Sequence, residues 1–170
     1  MFETFFPDEC YDSSYEIDYE ELYNKGYRGI IYDIDNTLVP HGAPADDRAL
    51  ALFKRLKKIG FDFLVLSNNK EPRVKSFADA VGARYIYKAN KPSRSGYINA
   101  MDKMHTDTTT TLFIGDQLFT DVWGAKRTGI RSLLVKPIDK KEEIQIVLKR
   151  RLEWIVLWFY KRKNQEKSRL

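Results

Sequence analysis

Four aspartates, two hydroxyls and one lysine stand in short clusters whose residue types could do chemistry together. Asp33, Asp35 and Thr37 fall in the run DIDNT, and Ser67 opens Ser67-Asn68-Asn69. Lys91 precedes Pro92, and Asp116 and Asp121 lie in GDQLFTD. Carboxylates brought this close repel one another, and a hard cation relieves the repulsion; an all-oxygen ligand set points to Mg²⁺. Taken singly, each residue also has an ordinary structural reading. Asp or Asn after a strand is a common turn former or cap. Ser67 can cap a helix, Asp121 can be a plain N-cap, and Lys91 can be a solvated surface lysine. The chemical reading therefore depends on a scaffold that gathers them.

The pattern of the chain supplies one. Asp18 followed three residues later by Glu21 reads as a capping box that opens a short helix ending near Gly26. Gly29–Tyr32 reads as a buried strand running into Asp33. Residues 45–59 put Ala49, Leu52, Phe53, Leu56 and Ile59 on one helical face, with Gly60 as the stop. Phe61–Leu66 is the next strand and ends at Ser67. Pro72 suits a first helical turn, Val74, Phe77, Ala78 and Val81 form its buried stripe, and Asn69 is the expected N-cap. Then follow a strand at Tyr85–Tyr87, a helix at Ser93–Met104, a strand at Thr110–Ile114, a helix at Asp121–Thr128 and a fifth strand at Arg131–Val135. Alternation of apolar strands with helices predicts a three-layer α/β domain around a five-stranded parallel sheet. Ligands in such sheets gather at the carboxyl ends of the strands, where the acidic clusters fall. His41 and His105 have no motif partner and read as surface residues. Trp123, Tyr85 and Tyr87 read as core.

Four motifs in this order, each at a strand end, resemble the haloacid dehalogenase (HAD) superfamily of phosphohydrolases. The resemblance is to subfamily IIIA, and within it to the small YqeG-type group related to phosphatidylglycerophosphate phosphatases. It implies a Rossmann-like HAD fold and a role for each matching residue. Asp33 matches the nucleophile that would form an aspartyl-phosphate. Asp35 matches the general acid/base, which phosphate-transferring pumps and dehalogenases of the family lack, so phosphomonoester hydrolysis is implied. Ser67 matches the hydroxyl that binds the transferring phosphoryl group, and Lys91 the cation that offsets its charge. Asp33, Asp116 and the Asp35 backbone carbonyl match the Mg²⁺ ligands. Asp121 matches a supporting acid that orients Lys91 or a metal-bound water. Thr37 would buttress the loop on the substrate side, and Asn68 would add a phosphate contact.

Many relatives carry a cap domain after the first motif or between the second and third. Here 29 residues separate Thr37 from Ser67 and 23 separate Ser67 from Lys91, and a helix and a strand fill each gap. No cap fits, so the expected site is open and tolerant of bulky substrates.

Charge divides the 170-residue chain unevenly. Residues 1–135 hold 18 Lys+Arg against 19 Asp+Glu, a net of −1, whereas residues 136–170 hold 11 against 5, a net of +6. A uniformly basic nucleic-acid coat does not fit this distribution. The segment from residue 140 reads as a basic amphipathic helix and tail following a domain over residues 1–139. Its run Leu152–Tyr160 is apolar except for Glu153 and far shorter than the roughly 20 residues that span a bilayer. Trp154 and Trp158, between the basic runs Lys149-Arg150-Arg151 and Lys161-Arg162-Lys163, suit an anionic membrane surface. The first half of the helix, with Ile144, Val147, Leu148 and Leu152 at helical spacing, is expected to pack in the core against the sheet or on another subunit. For Trp154–Tyr160 a homodimer or partner surface, or the chain's own core, is the alternative to a membrane. The single Cys10 excludes a disulfide framework, and the N-terminus carries no secretory signal, so a cytoplasmic protein is expected, peripheral to the membrane if the tail binds lipid. The leading expectation is a Mg²⁺-dependent phosphatase, with phosphatidylglycerophosphate as the substrate the resemblance suggests. A soluble sugar or nucleotide phosphate is the alternative substrate. A HAD-fold binding module that docks RNA or a protein through its tail is the alternative class.

Overall fold

The computed structural model describes residues 3–139 and 144–167, with the side chains of 144–150 and 165–167 outside the description. Six parallel strands form one sheet in the order β1-β6-β5-β2-β3-β4. They are β1 (Glu9–Tyr11), β2 (Gly29–Tyr32), β3 (Asp62–Leu66), β4 (Arg84–Ile86), β5 (Thr111–Gly115) and β6 (Arg131–Val135). Five coincide with the expected strands; β1 is an addition to them. Its sequence, ECY, has no apolar alternation, and what holds it is distant. The Asp8 carboxylate accepts from the backbone N–H and hydroxyl of Ser132, at 2.8 and 3.0 Å, and pairs with Lys126 at 2.8 Å.

Strand residues alternate between two cores, as the two-residue period of a strand requires. On one face Ile30, Tyr32, Phe63, Val65 and Ile114 meet α1 (Tyr19–Asn24), α2 (Asp47–Ile59) and α3 (Glu71–Val81). On the other, Ile31, Leu64, Leu66 and Phe113 meet α4 (Arg94–Met104) and α5 (Trp123–Thr128). This is the expected three-layer domain. The Asp18 side chain caps α1 by accepting from Glu21 N at 2.9 Å, while Glu21 itself pairs with Lys25. Gly60 ends α2 in the left-handed region. Tyr85 and Tyr87, expected in the core, are half-buried and exposed, because β4 is the sheet edge and Tyr87 lies past its end. His41 and His105 are exposed.

The last helix, α6 (Ile144–Lys167), packs beside a π-helical turn, Leu118–Val122. Val156 joins Leu118, Val122 and Leu134 in a third, smaller cluster, with Phe5 and Phe6 against it. Leu152, expected in the core, stays exposed, as do Trp154, Ile155, Trp158 and Phe159. Residues 140–143, and the side chains of Ile144, Val147 and Leu148 expected in the core, lie outside the described residues. No helix among the described residues is long and apolar enough to cross a membrane.

Candidate active site

The sheet turns the expected clusters towards one place. From β2 the chain builds outward through β3 to β4, then returns to lay β5 on the other side of β2. That reversal is where open α/β sheets bind ligands, and it sets Asp33, just after β2, beside Asp116, just after β5. Carboxylate oxygens of Asp33, Asp116 and Asp121 lie within 4.8 Å of one another, and all three residues are buried. Lys91 is buried between two of them, its Nζ donating to Asp33 Oδ1 at 2.6 Å and Asp121 Oδ1 at 2.7 Å.

Local sequence explains how each is held. The second oxygen of Asp121 accepts from Gln117 N at 3.1 Å, folding the carboxylate back over Gly115. A Cβ on Gly115 would come within 2.5 Å of Asp121 Oδ2, so only glycine lets β5 end there. Thr37 donates to Asp116 Oδ1 at 3.2 Å. Asn68 spans the backbone of Lys91: its Oδ1 accepts from Lys91 N at 2.7 Å and its Nδ2 donates to Lys91 O at 3.2 Å. Ser67 Oγ accepts from Asn69 N at 3.1 Å, which leaves its own proton without a partner among the described residues.

Asp35 stands apart from the acidic triad. Its Oδ1 accepts from Gly42 N at 2.8 Å and from Arg73 at 2.9 Å, and its Oδ2 accepts from the Asn69 side chain at 3.3 Å. Gly42 has a φ of +74°, a conformation that suits glycine. Asn69 was expected to cap α3; instead its amide turns to Asp35, and the cap position, Lys70, has no side-chain bond. Arg73 went unnoticed in the sequence. Its signal was there: a cation in the first turn of a helix opposes the helix dipole and implies a partner elsewhere. The segment before β2 was a further omission. Ser14 Oγ donates to Thr37 O at 2.7 Å and Tyr15 to Leu38 O at 2.5 Å, bracing the loop that carries Asp35.

The electrostatics separate the two aspartates of the DIDNT run. Burial pushes the Asp33 carboxyl up to about 7; Lys91 opposes this, and the neighbouring Asp121 charge adds to it. Burial also works upward on Asp35, but hydrogen bonds from Arg73 and Gly42 N outweigh it and hold the group below its ordinary value. Lys91 is raised, because Asp121 and Asp33 outweigh the effect of its own burial. Lys91 pairs with two of these three buried carboxylates, and oxygens of like charge gathered this closely favour a hard divalent cation among them. Oxygen donors of this kind fit Mg²⁺ in type and number. A cleft of about 520 Å³ at the β4 edge contains none of these acids.

Comparison with known proteins agrees with this geometry. A family model described as HAD-hydrolase-like matches residues 88–145. The chain is 37% identical over 161 residues to the "Probable phosphatase YqeG" of Bacillus subtilis, covering 94% of each chain. It is 31% identical to the phosphatidylglycerophosphate phosphatase 1 of Arabidopsis thaliana, covering 87% of this chain and 46% of that longer one. Among solved structures, a HAD superfamily subfamily III A hydrolase from Legionella pneumophila superposes with a TM-score of 0.52 at 19% identity, over 68% of this chain and 69% of that one.

Proposed function

Because the chain belongs to the haloacid dehalogenase superfamily, among its YqeG-type members, and is a phosphoric monoester hydrolase, we propose that it removes the terminal phosphate of phosphatidylglycerophosphate at a membrane surface. The proposed chemistry has two steps. An Asp33 carboxylate oxygen attacks phosphorus, the bond to the leaving oxygen breaks, and Asp35 delivers a proton to that oxygen as the alcohol departs. Asp35 then takes a proton from water, the water oxygen attacks phosphorus, and the bond to Asp33 breaks to release inorganic phosphate. Lys91 holds Asp33 in position and offsets charge on the phosphoryl group, with Asp121 fixing Lys91. Ser67 has its hydroxyl proton available for a phosphoryl oxygen, and Asn68 keeps a second amide hydrogen for the same purpose. Asp33, Asp116 and the Asp35 carbonyl would hold Mg²⁺, whose charge would offset that of the phosphoryl group and open phosphorus to attack.

The observation that carries the lipid reading is the exposed face of α6. Leu152, Trp154, Ile155, Trp158 and Phe159 lie bare to solvent, and exposed Arg151, Lys161 and Arg162 flank them. The guanidinium of Arg162 stacks over Trp158 at 5.4 Å. Aromatic and basic residues together on one helix suit an anionic headgroup layer, so the protein sits peripherally on the cytoplasmic face. The relative named for phosphatidylglycerophosphate supports the same reading.

The test is phosphate release from vesicles containing phosphatidylglycerophosphate, beside panels of sugar and nucleotide phosphates, with Mg²⁺ and with chelator. Release from the vesicles that requires Mg²⁺ and disappears in Asp33→Asn is the expected result. Faster turnover of a sugar or nucleotide phosphate would replace the lipid substrate, and activity surviving full chelation would remove the metal.

A further inference from the structure

Between α6 and the carboxyl ends of β1 and β6 lies a cleft of about 470 Å³, and Asp116 forms part of its wall. Leu134 and Val135 line it from the sheet, Leu118 from the π-helical turn, and Trp154 and Leu157 from the helix. Its other charged groups are Lys136, paired with Asp12 at 2.5 Å, Lys161, and the buried Glu153, whose carboxylate accepts from Leu118 N. A site for a sugar or a nucleotide fixes its ligand through a few precisely placed polar groups whose hydrogen bonds are free for it. Here Asp116 of the phosphate site shares the wall with charged groups that pair with one another or with backbone, and most of the surface the cleft exposes is hydrocarbon. Trp154 carries the apolar surface out of the cleft, and Trp158, one turn further along α6, extends it.

We propose that this cleft receives the hydrocarbon portion of a lipid substrate while its phosphomonoester occupies the Asp33–Lys91 site. The inference rests on the phosphatase reading above and adds where, and by which side chains, the leaving group is selected. Trp154 and Leu157 are then specificity-determining residues. The cleft holds part of one alkyl chain, and the rest of the lipid stays in the bilayer against the exposed face of α6. Burial of each methylene strengthens binding about fourfold, so affinity should climb with chain length until the cleft is filled.

The probe is 8-bromooctyl phosphonate, which keeps the phosphate-like head, has a carbon–phosphorus bond that phosphatases do not hydrolyse, and carries a heavy atom that quenches tryptophan. It is titrated, below its micelle concentration and with Mg²⁺, into the full chain bearing Trp123→Phe and Trp158→Phe, so that Trp154 alone reports. Saturable quenching that inorganic phosphate reverses is expected, with octyl phosphonate displacing the probe at least tenfold better than butyl phosphonate. Quenching that inorganic phosphate leaves untouched would mean adsorption to the outer face of α6 and would overturn the inference. So would vesicle hydrolysis without quenching, which leaves the phosphatase reading standing. Quenching reversed by phosphate in a protein that hydrolyses no phosphomonoester would keep the cleft and refute the lipid-phosphatase reading.

Discussion

Replacing Asp33 with Asn should abolish turnover and, in the metal-free protein, raise stability. The structure gives the reason. Asp33, Asp116 and Asp121 are buried together with Lys91 as the cation that reaches Asp33 and Asp121. The folded protein holds the Asp33 carboxyl at about 7 against an ordinary 3.8. A group raised in this way keeps its proton longer in the folded state than in the unfolded one. Native stability therefore falls as pH climbs from the ordinary value to the raised one, and is flat above it. At one pH unit per 1.36 kcal/mol, the ionised Asp33 destabilises the fold near pH 8 by up to about 4 kcal/mol. Asn removes that charge and keeps an oxygen to accept from Lys91 Nζ, so about 2–4 kcal/mol should be recovered, or roughly 5–12 °C in melting temperature for a chain of this length. The assay is thermal unfolding in chelator near pH 8 and again near pH 5. Near pH 5 wild-type Asp33 is already protonated, and the two proteins should melt together. Excess Mg²⁺ should close or reverse the gap, because only the wild type keeps the full ligand set. A variant less stable than wild type in chelator near pH 8, or a gap independent of pH, would refute the account of Asp33 as a buried carboxylate whose charge destabilises the fold.

Lys91→Met leaves two buried acids without their cation; it should stop turnover and lower stability by about 3–5 kcal/mol in chelator, read by denaturant unfolding. Arg73→Gln removes the strongest of the interactions that hold Asp35 down, so the Asp35 carboxyl should rise; because Asp35 must carry a proton to donate to the leaving oxygen, the alkaline limb of the pH–rate profile should move to higher pH, and an unmoved limb would detach Arg73 from Asp35. Asp8 is lowered because its bonds to Lys126 and Ser132 outweigh burial, so its stabilisation is complete above its ordinary 3.8 and is lost as pH falls through the lower folded value. Asp8→Asn should therefore be less stable than wild type by about 1–2 kcal/mol near pH 7, and the difference should vanish in strong acid. Glu153→Ala removes the acceptor for Leu118 N, a buried bond of 2.9 Å at the start of the turn that carries Asp121, and should cost about 1–3 kcal/mol in unfolding experiments and slow aryl-phosphate hydrolysis.

The grouping of the site was legible because each cluster follows an apolar strand, and a parallel sheet leaves those ends at one edge. Asp33, Ser67, Lys91, Asp116 and Asp121 needed only the alternation of elements to be brought together. What escaped was decided by contacts with no local signature. The three residues of β1 become a strand only because Asp8 reaches Ser132, 124 positions away. Tyr85 and Tyr87 look like core residues until the sheet order makes β4 an edge. Asn69 carries the residue type of a cap and sits at a helix start, yet the Asp35 carboxylate competes for its amide more effectively than the helix does. Arg73 lies four positions further on, one helical turn away, and completes the same grip on Asp35. Glu153 interrupts an otherwise apolar run, as a solvated acid would, but it is buried on a backbone N–H of the site's own turn.

That last contact changes how the C-terminal segment must be understood. A basic amphipathic tail appended to a finished phosphatase could be removed without touching the chemistry, and deletion of residues 152–170 would spare hydrolysis of a simple aryl phosphate. The structure argues otherwise. Glu153 holds the start of the turn that ends in Asp121, Asp121 holds Lys91, and Lys91 holds Asp33. Val156 covers Leu118 and Leu134 in the same region. The first residues of the chain play a matching part from the other side, where Ser14 and Tyr15 fasten the backbone of Thr37 and Leu38. Both additions to the minimal sheet are thus tied by hydrogen bonds to the loops that carry the acids. With no cap among the described residues to shape the site, α6 meets its supporting turn with a buried edge and leaves its aromatic, basic face outward. Alignment of the reacting groups therefore depends on the same helix that exposes this aromatic, basic face.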